Sequence, residues 1–220
     1  MTVSEQREML AAWLTEWRLE KELPPPTAES ATSQVDDMRP DESDKTIGAT
    51  SVELRPGDIV LLPPDGDTTS ARPVYVVLLA AGPDNHWLCA PFSRFSTPAT
   101  EGEYATDRRY DPLEVVCVWN TGRLPMAVLA RGWLVERIGA SDLRAISDFA
   151  LGRRNELPPA RRGPPVIHPI DPRRDYIEEE RCLWVDFETQ DAPDSAQTWQ
   201  VDEPTIDYAA EPSSKKDDDF

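Results

Sequence analysis

The short apolar runs that read as buried strands all fall between Val52 and Ile138, which confines the folded part of this 220-residue chain largely to its middle. A chain of this length has room for one large domain or two small ones. Here 22 prolines, 29% charged residues and a mean hydropathy of -0.53 keep much of it out of any core. Within the middle, Leu54-Arg55-Pro56-Gly57-Asp58 turns into a predicted strand at 59–62, closed by the Pro/Gly/Asp cluster at 63–67. Arg72-Pro73 launches a second strand at 74–79, and Gly82-Pro83-Asp84-Asn85 turns it into a third at 86–92. These three lie close enough in sequence to form a meander.

A polar loop follows from Ser93 to about Tyr110, longer than most loops in compact domains, and is predicted to be functional or mobile. Further strands are expected at 113–119, at 126–134 and around 135–138. Ser141-Asp142 then reads as the cap of a helix bearing Leu143, Ile146, Phe149 and Leu151, stopped by Gly152. Five or six short strands and a terminal helix predict a mainly β unit, a small curled barrel over 51–152 closed by a C-terminal helix.

The flanks have a different character. Residues 1–23 read as an amphipathic helix: Thr2 and Glu5 have capping-box spacing, and Met9, Leu10, Trp13, Leu14 and Trp17 form one apolar stripe. Pro24-Pro25-Pro26 ends it. A lone helix cannot bury two tryptophans, so Trp13 and Trp17 are expected to pack either on the central unit or on a protein partner or second copy. Residues 24–50, rich in Ser, Thr, Asp and Glu, read as a flexible linker, and 153–174 as an Arg/Pro-rich linker with 6 bases against 2 acids. Residues 175–220 carry 15 acids against 3 bases and read as a long, largely irregular acidic tail, with one apolar docking segment at 176–188. The net charge of -18 opposes nucleic-acid binding by the chain as a whole.

Several chemistries are disfavoured. Cys89, Cys117 and Cys182 have no metal-type spacing, and His86 and His168 stand apart without acidic or thiol neighbours. Neither a metal site, a Ser-His-Asp triad nor a cofactor is expected. No stretch approaches the roughly 18 apolar residues of a membrane helix, and the first residues lack a secretion signal. The expected location is the cytoplasm.

Four motifs recur in a known order. They are Pro56-Gly57-Asp58-Ile59-Val60, Arg72-Pro73-Val74-Tyr75-Val76-Val77, Leu88-Cys89-Ala90-Pro91-Phe92-Ser93, and the helix after Ser141-Asp142-Leu143. Together, over about 95 residues, they resemble the MazF/PemK family of toxin endoribonucleases, which are SH3-like β-barrels. The resemblance implies catalytic roles for Arg72 and Ser93 in metal-independent cleavage of single-stranded RNA, giving 2′,3′-cyclic phosphate ends. An arginine fork would hold the phosphate and offset the charge that builds in the transition state. Arg94, Arg108 and Arg109 would track an RNA backbone and Phe95 would stack on a base, although exposed arginines are also ordinary solvated side chains.

The chain departs from the family pattern at two places. Gly66-Asp67-Thr68-Thr69-Ser70-Ala71 stands before the arginine where the family carries an acidic "G-S-E-Q-x" loop, and Met126-Ala127-Val128 stands for its "A-D-Q". The family's antitoxins lay acidic, tryptophan-bearing segments across the RNA groove. The segments around Trp184 and Trp199 are chemically similar and are expected either to dock in cis or to stay solvated. The resulting expectation is a divergent, non-catalytic interaction or adaptor protein of a toxin–antitoxin or defence-type system. It would engage a protein partner through Trp13, Trp17, Trp184 and Trp199. The alternative is a single-stranded RNA endoribonuclease autoinhibited by its tail. The family's barrels also pair through their sheets, which implies a homodimer.

Overall fold

The computed structural model describes residues 2–22, 53–62, 73–107 and 113–184. The expected linker at 24–50, Arg72, Arg108, Arg109, Trp199 and the tail beyond Trp184 lie outside the described residues.

Helix α1 runs Val3–Glu22 and begins as its sequence dictates. The Thr2 amide donates to Glu5 Oε2 at 2.5 Å, and the Glu5 amide donates back to Thr2 Oγ1 at 3.3 Å, a reciprocal cap. The chain then builds β1 (Asp58–Leu62), β2 (Val74–Ala81) and β3 (His86–Pro91) as an antiparallel meander. Asp84 and Asn85 turn β2 into β3 with φ of 56° and 62°, the left-handed pair that a tight hairpin requires. Strand β6 (Gly122–Pro125) pairs with β3, and β7 (Trp133–Arg137) pairs with β1. The result is a five-stranded antiparallel sheet in the order β6-β3-β2-β1-β7. A second sheet pairs β4 (Glu103–Ala105) with β5 (Val115–Cys117). A bridge between Phe92 and Val116, and a Ser93 amide bonded to Val115 O at 2.8 Å, join it to the end of β3.

Strand β1 is buried at every position because both faces of the sheet are covered. Alternation sends Val60, Leu62, Val76 and Leu78 to one core with Leu124, Leu129 and Trp184. It sends Ile59, Leu61 and Val77 to the other, with Val116, Ile146 and Leu157.

Five expectations are corrected. The strand expected at 126–134 is split: Pro125 ends β6, Met126–Leu129 forms the one-turn helix α2, and β7 starts at Trp133. Helix α3 (Ala140–Ala150) is not capped by Ser141-Asp142; Asp142 is buried and accepts a 2.8 Å bond from the Tyr104 hydroxyl. The polar loop after Ser93 holds β4, with Glu103 and Tyr104 both buried.

The fourth concerns the Arg/Pro-rich linker, which is irregular yet packed on the β unit. Leu157 is buried, the Ala105 amide bonds Arg161 O at 2.7 Å, and the Gly163 amide bonds Thr100 O at 3.0 Å. The expected irregular tail opens with helix α4 (Arg173–Arg181) and a 3-10 turn at Cys182–Trp184. Residues 153–184 therefore belong to the same body as the strands. No helix among the described residues is long and apolar enough to cross a membrane.

The end of that segment is locked by Trp184, whose indole nitrogen donates to Asn120 O at 2.8 Å over the Gly122 backbone. A Cβ at Gly122 would lie 2.7 Å from Trp184 Cε2, inside contact distance. Gly122→Ala is expected to lower the unfolding free energy by about 1–3 kcal/mol through overpacking, read as a lower denaturant midpoint. An unchanged midpoint would show that Trp184 is not seated there.

Candidate functional site

Three chain segments meet where β3 gives way to residues 93–100. Ser93 is held by its amide bond to β5, which turns its hydroxyl inward: Oγ lies 3.2 Å from the Tyr176 hydroxyl of α4 and accepts the Phe95 amide at 3.1 Å. Ser93 is 1% exposed. A phosphate cannot reach this hydroxyl while Tyr176 is in place.

An aromatic cluster supports the contact. Trp13 of α1 is fully buried, with ring centroids 5.6 Å from Phe95 and 5.5 Å from Tyr176. Phe95 and Tyr176 meet edge to face at 5.4 Å, and Trp17 stacks on Trp13 at 5.7 Å. Of the two packing options left open for Trp13, the structure takes the one on the chain's own domain. Trp184 is likewise buried internally. Phe95, expected to stack on a base, is core.

Charge gathers around Arg94. Its guanidinium approaches Glu179 at 2.7 Å, Glu20 at 3.0 Å and Glu180 at 3.6 Å, and lies over the Phe95 and Tyr176 rings. Lys21 of α1 reaches Glu179 at 2.5 Å. Three carboxylates around one guanidinium leave an acidic surplus even with Lys21 alongside, an electrostatic environment that repels a phosphate backbone. One turn earlier on α1, Glu16 clamps the loop by accepting the Ser96 amide at 2.8 Å, the Ser96 hydroxyl at 2.7 Å and the Thr97 hydroxyl at 3.2 Å.

Beneath this cover sits Glu103, fully buried. Its carboxyl group accepts the amides of Ala99 and of Thr100 (3.3 Å) and the Trp119 indole N–H at 3.3 Å. Burial pushes it up to about 7, against the pull of those donors and of the Tyr176 hydroxyl. Cys117 Sγ lies 3.5 Å from the Tyr176 hydroxyl and 3.9 Å from Glu103. Burial, reinforced by Glu103 and Glu180, holds its thiol well above the usual range. Tyr176 is raised in the same way, by burial first and then by Cys117 and Glu103. Cys117 and Tyr176 therefore stay protonated at neutral pH, and the node is suited to sealing a joint rather than to supplying a nucleophile.

Of the residues singled out in the sequence, Ser93, Arg94, Phe95, Trp13 and Trp17 come together, and Trp184 lies in a separate core cluster. Sequence reasoning missed Glu16, Glu20, Glu103, Glu179 and Glu180, while Cys117, read as a buried free thiol in an apolar run, is one. Only the apolar spacing of Tyr176 within the tail gave a signal. Among the described residues no group of three or more His, Cys, Asp or Glu side chains is placed to hold a metal ion. Comparison of the chain with protein-family models, with curated proteins and with solved structures finds no match.

Proposed function

We propose that the two sheets form a divergent MazF/PemK-like, SH3-like barrel acting as a non-catalytic interaction module, of the kind used in toxin–antitoxin or defence-type systems. The observation that carries this reading is the Ser93 hydroxyl sealed beneath Tyr176, with Arg94 neutralised by carboxylates from α1 and α4. A hydroxyl and a guanidinium engaged in this way are unavailable to RNA. The face at 93–97 recognises an acidic, aromatic helix, and α1 is its occupant in cis. Two indole N–H groups on α1, of Trp13 and Trp17, are buried without a hydrogen-bond partner among the described residues. Each such group costs about 1–3 kcal/mol, which makes this occupant one that a better-fitting helix of a partner protein can displace.

Two measurements test this reading. Ala11 is an exposed position in the middle of α1, so Ala11→Pro breaks the helix without touching the face that holds it. A labelled peptide of residues 2–22 is expected to bind the full-length Ala11→Pro protein at least 10-fold tighter than the unaltered chain, where cis α1 competes. Equal or absent binding to both proteins overturns the helix-docking role. Incubation with single-stranded RNA is expected to give no more product for the full chain than for its Arg72→Ala variant. Cyclic-phosphate products that vanish in Arg72→Ala would instead establish a ribonuclease. The same cleavage appearing only after Ala11→Pro would establish one that α1 holds inactive.

A further inference from the structure

The loop at 95–100 presents donors that the β unit does not use for itself. From within, the Phe95 amide goes to Ser93 Oγ, and the amides of Ala99 and Thr100 go to the Glu103 carboxyl group. Pro98 has no amide hydrogen and disfavours helical backbone at Thr97. Between these anchors Ser96 is exposed. Its amide donates to Oε2 of Glu16 at 2.8 Å, and its hydroxyl and that of Thr97 donate to Oε1 at 2.7 and 3.2 Å. Both oxygens of one carboxylate are thus taken by a short stretch of chain 80 residues away in sequence. The donors belong to the loop and the anion to the helix.

We propose that Ser96 and Thr97 form a carboxylate-binding seat by which the 93–97 face selects its helix, so that a partner helix must bring an acidic residue three positions after its first buried aromatic. This rests on reading the face as a docking surface, and it names the side chain such a partner carries. The spacing is that of α1. Trp13 packs on Phe95 and Tyr176, Trp17 stacks on Trp13, and Glu16 lies beside them. Positions i, i+3 and i+4 share one helix face, so the aromatic pair and the acid dock together. A helix with the aromatics alone fills the cluster but leaves the seat without its anion. A lysine in place of the acid would face donors only, which excludes it.

The second acid of α1 meets a different environment. Glu20 lies 3.0 Å from Arg94, a guanidinium it shares with Glu179 at 2.7 Å and Glu180 at 3.6 Å. Such a partly exposed pair contributes little. Among the described residues no other carboxylate reaches the Ser96 amide or the two hydroxyls, and hydrogen bonds to an ionised acceptor are about twice as strong as neutral ones. Selection therefore falls on Glu16.

The full-length Ala11→Pro protein is titrated with labelled peptides of residues 2–22. The Glu16→Ala peptide is expected to bind at least about 10-fold more weakly than the parent peptide, and the Glu20→Ala peptide within about 5-fold of it. Alanine favours the helix more than glutamate does, so fraying of the peptide does not account for the loss. The seat is then altered from the other side, by Ser96→Ala with Thr97→Val in the Ala11→Pro protein. There the parent peptide is expected to lose about 5-fold, while the Glu16→Ala peptide binds as before.

A Glu16→Ala peptide that binds within about 2-fold of the parent overturns the seat. Equal losses for both peptides on the altered face overturn it as well, since Ser96 and Thr97 then act through the shape of the loop. The peptide variants leave the protein untouched and decide the matter even if the altered face does not fold. A parent peptide that does not bind overturns the docking role and the seat with it. A parent peptide that binds regardless of Glu16 overturns the seat alone.

Discussion

Arg173→Met is expected to destabilise the folded chain by about 3–5 kcal/mol, the cost of removing one partner from a buried ion pair. The Arg173 side chain is 4% exposed. Its Nη1 donates to Ala99 O and Pro164 O at 2.8 Å each, its Nη2 to Pro165 O at 3.1 Å, and its Nε to Asp171 at 2.9 Å. It thus ties the loop that frames Glu103 to the Pro-rich segment and to the start of α4. Methionine fills most of the volume but leaves three carbonyls without this donor and the Asp171 carboxylate with only the residue-173 amide, and unsatisfied buried groups carry the full desolvation penalty.

The pH dependence of this loss identifies its origin. The Arg173 side chain holds Asp171 below its ordinary value of 3.8. A depressed carboxylate contributes stability above its unfolded pKa and loses it as pH falls through the folded one. The gap in unfolding free energy between the unaltered chain and Arg173→Met is therefore expected to narrow below about pH 4. Urea titrations at about pH 7 and about pH 3 measure it, and a gap of the same size at both would assign the loss to packing alone.

That arginine also marks the boundary of what the sequence reveals. Strands β1, β2 and β3 are legible because each is an apolar run bounded by Pro, Gly or Asn, with buried side chains throughout β1 and most of β2. Helix α1 is legible from Thr2, Glu5 and the spacing of its tryptophans. Residues 153–174 read as a linker because many of their partners are backbone carbonyls and amides of distant segments. Such partners leave no trace in composition, and the backbone takes most side-chain hydrogen bonds that are not given to water.

Strand β4 was hidden for a related reason. Thr100-Glu101-Gly102-Glu103 is polar by type, yet the Glu103 carboxyl group is buried on two amides of its own turn and on an indole 16 residues away. The division of 126–134 into a helical turn and a strand lies beyond apolar periodicity, which does not separate short helices from short strands. At the candidate site, the position of Ser93 at a strand end could be read, but its burial could not. The side chains that bury it lie 83 residues away on Tyr176 and, through Phe95, at the opposite end of the chain on Trp13.

Trp13→Ala is expected to undock α1 while leaving the sheets folded. Truncating a buried tryptophan costs about 3–5 kcal/mol, and here that loss falls on one helix. The polar contacts α1 retains are Glu16 to Ser96 and Thr97, Glu20 to Arg94, and Lys21 to Glu179, while Leu10, Leu14 and Trp17 lose the ring at the centre of the cluster they pack on. The two ion pairs are partly exposed and contribute about 0–1 kcal/mol each. A lone helix of 20 residues without an alanine-rich sequence is marginal in water, so the undocked α1 loses its helical hydrogen bonds as well. Because 30 residues separate Glu22 from Glu53, its departure does not pull on β1. Hydrogen exchange is expected to show α1 amides losing at least 100-fold in protection, with β1, β2 and β3 amides unchanged. Equal losses in α1 and in the large sheet would mean that helix and sheet form one cooperative unit, and then no partner could take the place of α1 without unfolding the domain.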